Sequence, residues 1–402
     1  MTQPAAHIRP ELPDGSTPLG EMAAAVGLER IHIIAWRDLD DPEAGGSEVH
    51  AANIAKAWAD AGIDVTMRTS SAAGHPAFGT RDGYRTVRKS GRYTVFPRTA
   101  VSGILGRTGS GDGLVEIWNG MPFFSPVWSR CPSIVLLHHV HAEMWRMVLK
   151  PAALARIGEL IEFRVAPPFY RKSHILTLSP SSKAEIVELL RIPPANIDVV
   201  APGISPTFRP GGARAEHPLV VAVGRLVPVK RFPILVSALI ALRERHPTLE
   251  AVIAGEGYER AALKAQIRSA GAGSWLHLPG RIEDAELLAL YQRAWVLAST
   301  SLREGWGMTI TEAAACGTPA VVTDIAGHHD AINPCESGLL VPIEGGKPLV
   351  DALDDVIRDR RLRQRLSAGA LTHAVQFTWE ASARGTLDAL CAEARRRRPA
   401  QG

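Results

Sequence analysis

Short apolar segments alternate with helix-like stretches along this sequence, and the alternation starts a second time after residue 218. The strands predicted in the first half are Ile31–Trp36, Ile63–Met67, Tyr93–Phe96, Leu114–Trp118, Ser133–His138 and His174–Leu178. Those predicted in the second half are Leu219–Val223, Leu249–Ala254, Leu276–Leu278, Trp295–Ser299 and Pro319–Thr323. Strands that alternate with helices form parallel sheets covered on both faces. The pattern therefore predicts an α/β protein with two open sheets.

A stretch rich in proline and glycine, residues 201–218, separates the two series and is typical of an interdomain linker. A chain of 402 residues is also too long for one hydrophobic core. We therefore predict a loose N-terminal tail (1–28), a first domain (29–200), the linker (201–218) and a second domain (219–378). The remaining segment (379–402) is predicted to be a helix that packs back on the first domain and ends in a basic tail.

The composition excludes several classes of protein. It is 46% hydrophobic and 21% charged, which is typical of a folded globular chain rather than a disordered one. A net charge of +4 is smaller than nucleic-acid binders usually carry, so no nucleic-acid partner is expected. Four cysteines without a C-x-x-C pair argue against a disulfide framework or a zinc site. With neither a signal peptide nor a long apolar run, a cytoplasmic location is expected.

The segment Arg303–Pro319 carries the strongest functional signal. It follows a predicted strand, and its glycines allow backbone amides to approach a ligand closely. A helix predicted to begin near Thr309 would direct its free N–H groups and positive dipole end at the same point. This arrangement suits a diphosphate.

Glu304 and Glu312 flank the start of that helix. A carboxylate can accept two hydrogen bonds, as the neighbouring hydroxyls of a ribose or hexose require. Two plainer interpretations stay open. Glu304 could be an ordinary surface carboxylate, and Glu312, at capping-box spacing from Thr309, could simply cap its own helix.

The segment as a whole resembles the E-x7-E motif of family 4 retaining glycosyltransferases, which have the GT-B fold of two Rossmann-like domains facing across a cleft. The continuation matches at Glu312-Ala313, Gly317 and Pro319. The resemblance implies that Glu304 binds a sugar hydroxyl, that Glu312 binds the ribose, and that neither acts as a nucleophile. The donor-binding residues implied in this loop are Glu304, Gly305, Trp306, Gly307, Met308, Thr309 and Glu312.

Two further loops of the second half resemble the same family. The segment Val223–Lys230 is similar to its phosphate-binding loop, with Arg231 in place of a glycine, and the resemblance makes Arg225 and Lys230 a diphosphate clamp. Without the motif, two solvated cations would be the simpler interpretation. The segment Leu278–Ile282 resembles the loop that contacts the nucleotide base, which implicates Gly280, Arg281 and Ile282.

The first half matches the family less closely. Gly45-Gly46 precede a helix, as in the family's loop beneath the donor phosphates, although a plain loop before a helix cap is an alternative. The family also has a sugar-contacting histidine at the end of a strand. Counting from Pro132 selects His138, and aligning the apolar strand selects His139. The close spacing of His138, His139 and His141 suggested a metal site, but no acidic or thiol ligand accompanies them, and none is predicted.

The resemblance implies a retaining hexosyltransferase that moves a hexose from a UDP-glucose-type or GDP-mannose-type donor to a hydroxyl of a lipid, glycan or small molecule. Catalytic contributions are expected from His138 or His139 and from Glu304, Arg225 and Lys230. No cofactor is expected beyond the nucleotide-sugar co-substrate. The alternatives are an epimerase or inverting transferase of the same fold, and a sugar-nucleotide binder without turnover.

A weaker hypothesis places the protein on the inner face of the plasma membrane. It rests on the basic residues between Arg81 and Arg98 and on the exposed-looking segment Met121–Phe124. Solvated side chains that attract anionic substrates are the alternative.

Overall fold

The computed structural model describes residues 17–107, 109, 111–148 and 151–397. The strands of the first domain are β1 (Arg30–Ile34), β2 (Asp64–Ser70), β3 (Phe78–Arg81), β4 (Tyr84–Ser90), β5 (Gly113–Trp118), β6 (Ser133–Leu137), β7 (His174–Thr177) and β8 (Ile197–Val199). Its helices are α1 (Leu19–Ala24), α2 (Gly46–Asp60), α3 (Val95–Ile104), α4 (Ser125–Trp128), α5 (Met144–Val148), α6 (Ala152–Leu160), α7 (Pro167–Tyr170) and α8 (Pro180–Leu190). A π-helical turn, Ile161–Val165, joins α6 to α7.

The first sheet has the strand order β3-β4-β2-β1-β5-β6-β7-β8. Its neighbours run parallel except for the antiparallel pair β3–β4. Every residue of the central strands β5 and β6 is buried, as expected where helices cover both faces of a parallel sheet. The carboxyl ends of these strands therefore carry the loops that are available to a ligand.

The second domain repeats the architecture with a six-stranded parallel sheet. Its strands are β9 (Leu219–Val223), β10 (Glu250–Ala254), β11 (Leu276–Gly280), β12 (Val296–Ser299), β13 (Ala320–Thr323) and β14 (Gly338–Val341), in the order β11-β10-β9-β12-β13-β14. Its helices are α9 (Phe232–Arg245), α10 (Arg260–Ser269), α11 (Asp284–Arg293), α12 (Met308–Ala315), α13 (His328–Ala331), α14 (Lys347–Arg358) and α15 (Arg360–Ala374). Two α/β domains with parallel cores form the GT-B fold that the sequence predicted.

The last helix, α16 (Trp379–Arg397), returns to the first domain and packs on α2, β5, β6 and β7. It also packs against α1, which corrects the prediction of a loose tail through residue 28. Met22, Ala23 and Leu28 are buried in the core of the first domain, so hydrophobic burial holds this segment in place. Residues 1–16 and the end of the basic tail lie outside the described residues.

The strand predicted at Tyr93–Phe96 is wrong, because Val95 is the first residue of α3. The strands of this region are β3 and β4, which form a hairpin through Asp82-Gly83. Both turn residues have positive φ, 46° and 84°, as the tight turn of an Asp-Gly hairpin requires. The Asp82-Gly83 pair is typical of a hairpin turn, but the strand prediction from apolar segments did not use it.

Candidate donor site

Lys230 and Glu304 form the centre of the candidate site, at the carboxyl end of the second sheet. The Lys230 ammonium is ion-paired with the Glu304 carboxylate, and the Ser301 hydroxyl donates a second hydrogen bond of 2.9 Å to it. Burial alone would raise the pKa of Glu304, but the charges of Lys230 and His328 bring it below its usual value. Glu304 is thus a held, ionised carboxylate, with 17% of its side chain exposed, rather than a free surface group.

Helix α12 begins beside this ion pair. Gly307 precedes it with φ of 96°, a left-handed conformation that favours glycine. The amides of Met308 and Thr309 lie in the first turn, before the hydrogen bonds of the helix begin. No side chain caps this end, so the interpretation of Glu312 as a cap is wrong. The free amides and the positive end of the helix dipole can instead receive an anion.

Glu312 lies one turn further along α12 and accepts a hydrogen bond of 3.1 Å from the Tyr291 hydroxyl. Burial raises the pKa of Glu312 to about 7, which the Tyr291 hydrogen bond only partly offsets. The carboxyl group therefore changes its charge near neutral pH, unlike Glu304.

Arg225 faces the glycine loop of the first domain. A Cβ placed on Gly45 would lie 3.5 Å from the Arg225 Nε, and one on Gly46 would lie 3.0 Å from the Met308 sulfur. Arg225 makes no ion pair within the part of the chain that the structure describes. The starts of α2 and α12 thus approach each other across the cleft, with the Arg225 guanidinium close to the glycine loop.

Glu48 anchors the glycine loop. Its carboxylate accepts hydrogen bonds from the Gly45 amide (2.8 Å) and the Ser47 hydroxyl (3.0 Å), and Arg37 holds its other oxygen at 3.2 Å. The cap residue of α2 is therefore Gly45, with Glu48 closing a capping box. Three partners on one buried carboxylate fix the loop in place, which separates it from a plain loop before a helix.

His138 follows β6 and is held by a chain of hydrogen bonds. Its Nε2 lies 3.2 Å from the Nδ1 of His50 on α2, and the His50 Nε2 lies 2.9 Å from the Ser382 hydroxyl on α16. Burial lowers the pKa of His138 to about 4, so the ring is neutral. Its Nδ1 is buried without a partner among the described residues. Sequence reasoning missed His50 and Ser382, because nothing local marks two residues 332 positions apart as neighbours.

His139 and His141 stack on each other, with ring centroids 4.9 Å apart. Burial and the charge of Arg303 lower the pKa of His141 to about 3, and burial and the neighbouring His141 lower that of His139. Glu162, from the π-helical turn, accepts hydrogen bonds from the His141 amide (2.7 Å) and the Trp145 indole (2.8 Å) and so shapes this loop. Within the described residues, no group of three possible ligands is arranged to hold a metal ion.

The two domains meet directly at Gly305. A Cβ on this residue would clash with the His138 carbonyl oxygen, so only glycine permits the close approach. The Ser182 hydroxyl donates to the Gly305 carbonyl at 3.2 Å, and Arg303 forms ion pairs with Glu185 and Glu143 of the first domain. These contacts place the end of β6 beside the loop that carries Glu304.

Gly280 is the last residue of β11, and Arg281 and Ile282 follow it directly. Gly280 has φ of 94°, and its carbonyl accepts a hydrogen bond of 2.7 Å from the Gly255 amide. The Arg281 side chain is exposed.

Trp306 does not offer its side chain to the site, and Arg231 keeps the backbone conformation of the glycine that the family has at this position. The Trp306 ring is 4% exposed and packs edge-on against Phe377, so its side chain belongs to the core and only its backbone is available to the site. Arg231 adopts the left-handed conformation of the glycine it replaces, with φ of 54°. Its guanidinium bonds the Ile343 carbonyl, which gives this strained position a structural role.

Much of the basic stretch of the first domain is neutralised, so the membrane hypothesis loses most of the charge on which it rested. Four of its arginines form ion pairs with acidic residues of the same domain: Arg81 with Asp40, Arg85 with Asp64, Arg88 with Asp38 and Asp40, and Arg92 with Glu43. The segment Met121–Phe124 is not exposed, since Phe123 is buried and its amide bonds Glu116. No helix in the described residues is long and apolar enough to span a bilayer.

The chain is similar in sequence to enzymes named D-inositol 3-phosphate glycosyltransferase. The chain is 32% identical over 234 residues to the D-inositol 3-phosphate glycosyltransferase of Frankia alni, a match covering 54% of this chain and 58% of that protein. It is 28% identical over 397 residues to the enzyme of the same name from Paenarthrobacter aurescens, covering 86% and 92% of the two chains. The chain thus spans little more than half the length of the first relative and nearly all of the second.

Solved structures share the fold. Sucrose-phosphate synthase from Thermosynechococcus elongatus superposes with a TM-score of 0.75 at 20% identity, over 89% of this chain and 97% of that one. Anabaena HepE, solved with UDP and glucose, superposes with a TM-score of 0.70 at 17% identity, over 90% and 100%.

Two family models match consecutive parts of the sequence. Residues 44–208 match the model described as Glycosyltransferase Family 4, and residues 205–373 match the one described as Glycosyl transferases group 1. Together they cover most of both domains, including the loops that carry Gly45, His138, Lys230, Gly280 and Glu304. The chain belongs to the family 4, group 1 glycosyltransferases of the GT-B fold.

Proposed function

We propose that the protein is a retaining glycosyltransferase that moves a hexose from a nucleoside-diphosphate sugar to a hydroxyl acceptor. The observation that carries the proposal is the Lys230–Glu304 ion pair beside the uncapped start of α12. A cation and free helix amides suit the diphosphate, and an ionised carboxylate beside them suits the hydroxyls of the attached sugar.

The leaving diphosphate would gain negative charge as its bond to the sugar breaks. Arg225, Lys230 and the amides of Met308 and Thr309 are positioned to stabilise that charge, and preorganised donors of this kind are among the largest contributions to catalysis. Glu304 is already engaged with Lys230 and Ser301. We therefore assign it to holding a sugar hydroxyl rather than to nucleophilic attack.

Glu312 would bind the ribose. Its partner Tyr291 occupies one carboxylate oxygen, and the other oxygen makes no hydrogen bond within the described residues. An ionised carboxylate with a free oxygen can accept hydrogen bonds from a vicinal diol.

His138 would contact the hexose. Its ring is held from behind by His50 and Ser382, and the unpartnered Nδ1 is left for a ligand hydroxyl whichever way the protons of the chain are arranged. His139 also keeps a buried nitrogen without a partner among the described residues, but its ring stacks on His141 and has no comparable chain of hydrogen bonds behind it. These contacts favour His138 over His139 for the sugar.

A UDP-glucose-type or GDP-mannose-type donor and a lipid, glycan or small-molecule acceptor remain within the proposal. Anabaena HepE is solved with UDP-glucose, and the named relatives are inositol-phosphate glycosyltransferases, which supports a sugar nucleotide and a polyol acceptor. The four cysteines are free thiols, which suits a reducing compartment, so the proposal includes the cytoplasm.

Two measurements test the proposal. Thermal unfolding with UDP, GDP or ADP should show a raised midpoint for the preferred nucleotide, since ligands that bind the folded state stabilise it. Turnover of the matching α-linked sugar nucleotide, followed by NMR of the product, should give an α-glycoside. A β-linked product would refute retention, and no stabilisation by any nucleoside diphosphate would refute the donor site.

A further inference from the structure

Glu162 lies on the π-helical turn that joins α6 to α7, and its side chain is fully buried. One carboxylate oxygen accepts a hydrogen bond from the His141 amide (2.7 Å), and the other accepts bonds from the Ala142 amide (3.2 Å) and the Trp145 indole (2.8 Å). Three N–H donors thus converge on one carboxylate, which suits an ionised group that only accepts hydrogen bonds. Because it has no exposed surface, Glu162 does not itself contact a ligand in the cleft.

Trp145 is held between α6 and the π-helical turn. Its ring lies over Gly158, where a Cβ would come within 2.5 Å of the ring. Glu162, four residues further along, bonds the indole N–H. Residues four apart lie on the same face of a helix, so the glycine and the carboxylate together fix the position and the orientation of the tryptophan ring. Turns of the π-helical type are rare and frequently occur at functional sites.

Trp145 begins a stack of three rings that extends to the second domain. Its ring centroid lies 5.2 Å from that of His141, which stacks on the His139 ring at 4.9 Å. Both histidine rings keep a buried nitrogen without a partner among the described residues. The Cβ of His139 lies 3.6 Å from the position that a Cβ on Gly305 would occupy. The stack therefore links Glu162 to the side of the cleft on which the sugar is proposed to bind.

Ala142 makes this support necessary. Its φ is 44°, a left-handed conformation that is unfavourable for a residue with a Cβ. The next residue, Glu143, forms an ion pair with Arg303 of the second domain at 3.1 Å. Glu162 bonds the amides of Ala142 and of the residue before it, so it stabilises the strained turn. The orientation of the histidine rings thus depends on a carboxylate from a different part of the domain.

We infer that Glu162 is a positioning residue for sugar recognition: it fixes the stacked rings of His139 and His141 and so determines how tightly the sugar part of the donor is held. This role rests on the proposed function, which assigns the hexose to this side of the cleft. Without the carboxylate the strained turn would relax, and a ring nitrogen displaced by about 1 Å would leave hydrogen-bond distance of a bound hydroxyl. The diphosphate site should be unaffected, because its central ion pair lies entirely within the second domain.

The test is calorimetric titration of wild type and Glu162→Gln with UDP and UDP-glucose, or with GDP and GDP-mannose, according to which sugar nucleotide wild type turns over. Glutamine keeps the volume of the side chain but turns an NH₂ group towards N–H donors, so the turn loses support. Affinity for the sugar nucleotide should fall about tenfold, the scale of one lost hydrogen bond. Affinity for the free diphosphate should change by less than about twofold.

Glu116→Gln is the matched control. Glu116 is also a fully buried carboxylate of the first domain, and it too accepts two backbone amides and one side-chain donor. These donors are the amides of Phe123 (2.7 Å) and Ser125 (3.0 Å) and the hydroxyl of Tyr170 (2.7 Å). Its loss should lower the thermal midpoint about as much as Glu162→Gln does but leave the ratio of the two affinities at the wild-type value. The comparison separates a purely structural contribution from a contribution to sugar binding.

Trp145→Phe is a milder change that keeps a ring over Gly158 and removes only the indole donor. It should lower affinity for the sugar nucleotide about threefold and leave that for the free diphosphate unchanged. Wild-type affinities in this variant would overturn the inference even where Glu162→Gln fails to fold.

The inference is also overturned if Glu162→Gln binds the sugar nucleotide as tightly as wild type, or if it weakens both ligands equally. A ratio lowered as much by Glu116→Gln as by Glu162→Gln would overturn it as well. A wild-type protein that bound neither diphosphate nor sugar nucleotide would instead refute the proposed function, so the two failures are distinguishable.

Discussion

The polar groups on the two sides of the cleft differ in whether they already have hydrogen-bond or ion-pair partners within the protein. On the second domain, Lys230 and Glu304 are paired with each other, and Glu312 is bonded to Tyr291. On the first domain, His138, His139 and His141 each keep a buried ring nitrogen without a partner among the described residues. The carboxylates and the lysine of the second domain are thus already paired within the protein, whereas the histidines of the first domain keep ring nitrogens that lack partners among the described residues.

The difference suggests a division of labour. A satisfied ion pair at a helix start forms a fixed electrostatic site for the diphosphate, which all nucleotide sugars share. Buried nitrogens without partners cost free energy until a ligand supplies the missing hydrogen bonds, so they favour a ligand whose hydroxyls match them. We therefore expect the second domain to determine binding of the nucleotide and the first to determine recognition of the sugar.

The largest expected effect comes from Lys230→Met. Removing one preorganised charge from a leaving group should lower kcat about a hundredfold to a thousandfold. The measurement is initial-rate kinetics with the preferred sugar nucleotide. Lys264→Met is the control, because Lys264 is an exposed lysine on α10 of the same domain. The activity of this variant should match that of wild type.

A double variant separates the catalytic from the structural contribution of the pair. Lys230→Met leaves the Glu304 carboxylate without its cation, which destabilises the fold. Adding Glu304→Gln removes that unpaired charge, so the double variant should regain thermal stability without regaining activity. Recovery of activity together with stability would mean that the pair only supports the loop.

Two glycines that face the opposite domain should respond unequally to alanine. Gly305→Ala would push against the His138 backbone, and displacement of the site by about 1 Å can cost about a hundredfold in rate. Gly46→Ala meets only the flexible end of the Met308 side chain, at 3.0 Å, and should lose little. Comparable losses in kcat/KM for both would contradict the assignment of the direct domain contact to Gly305.

His138→Ala should lower kcat/KM about tenfold, the effect of one well-placed hydrogen bond. His139→Ala should have a smaller effect. Ser382→Ala should fall between them, because it loosens the His50–His138 chain without removing a ligand contact. Steady-state kinetics of the three variants rank these effects, and a larger loss in His139→Ala would transfer the sugar contact to that residue.

The smallest expected effect is a pH dependence from Glu312. Its carboxyl group, with a pKa of about 7, is mostly protonated at pH 6 and ionised at pH 8. Because the ionised form accepts both ribose hydroxyls, affinity for the sugar nucleotide should rise about fivefold between those values. Isothermal titration at both pH values should show this rise in wild type and its absence in Glu312→Gln.

The raised pKa of Glu312 also makes the stability of the folded protein depend on pH. A carboxyl group whose folded-state pKa is raised favours folding below its unfolded pKa of about 4.3 and loses that contribution as the pH rises through about 7. Glu312→Gln should therefore raise the thermal midpoint at pH 8 relative to wild type and have less effect at pH 5.

Much of the second-domain site could be predicted from the sequence because it is local. Gly307, Met308 and Thr309 form one loop-to-helix segment, and Glu312 lies on the same helix. The family resemblance implied that Lys230 and Glu304 both belong to the site, but their ion pair was not predicted, since the two residues are 74 positions apart and the strand order decides that their loops meet.

The half of the site on the first domain was harder to predict, because it depends on contacts between residues that are distant in the sequence. His50 on α2 meets His138 within the first domain although 88 residues separate them, and Ser382 reaches His50 only because α16 crosses back to that domain. Met121–Phe124 looked exposed from its composition, but Glu116 binds the Phe123 amide and turns the segment inward. Such long-range contacts leave no periodic trace in the sequence.

The central claim is that the second domain binds the nucleotide and the first domain recognises the sugar. Calorimetric titration with the free nucleoside diphosphate and then with the complete sugar nucleotide tests this claim most directly. Lys230→Met should weaken binding of both ligands about tenfold to a hundredfold, as loss of a charge-assisted hydrogen bond implies. His138→Ala should leave the free diphosphate unaffected and weaken only the sugar nucleotide. If Lys230→Met binds the diphosphate as tightly as wild type, or if His138→Ala weakens both ligands equally, the assignment of nucleotide and sugar to opposite domains is contradicted.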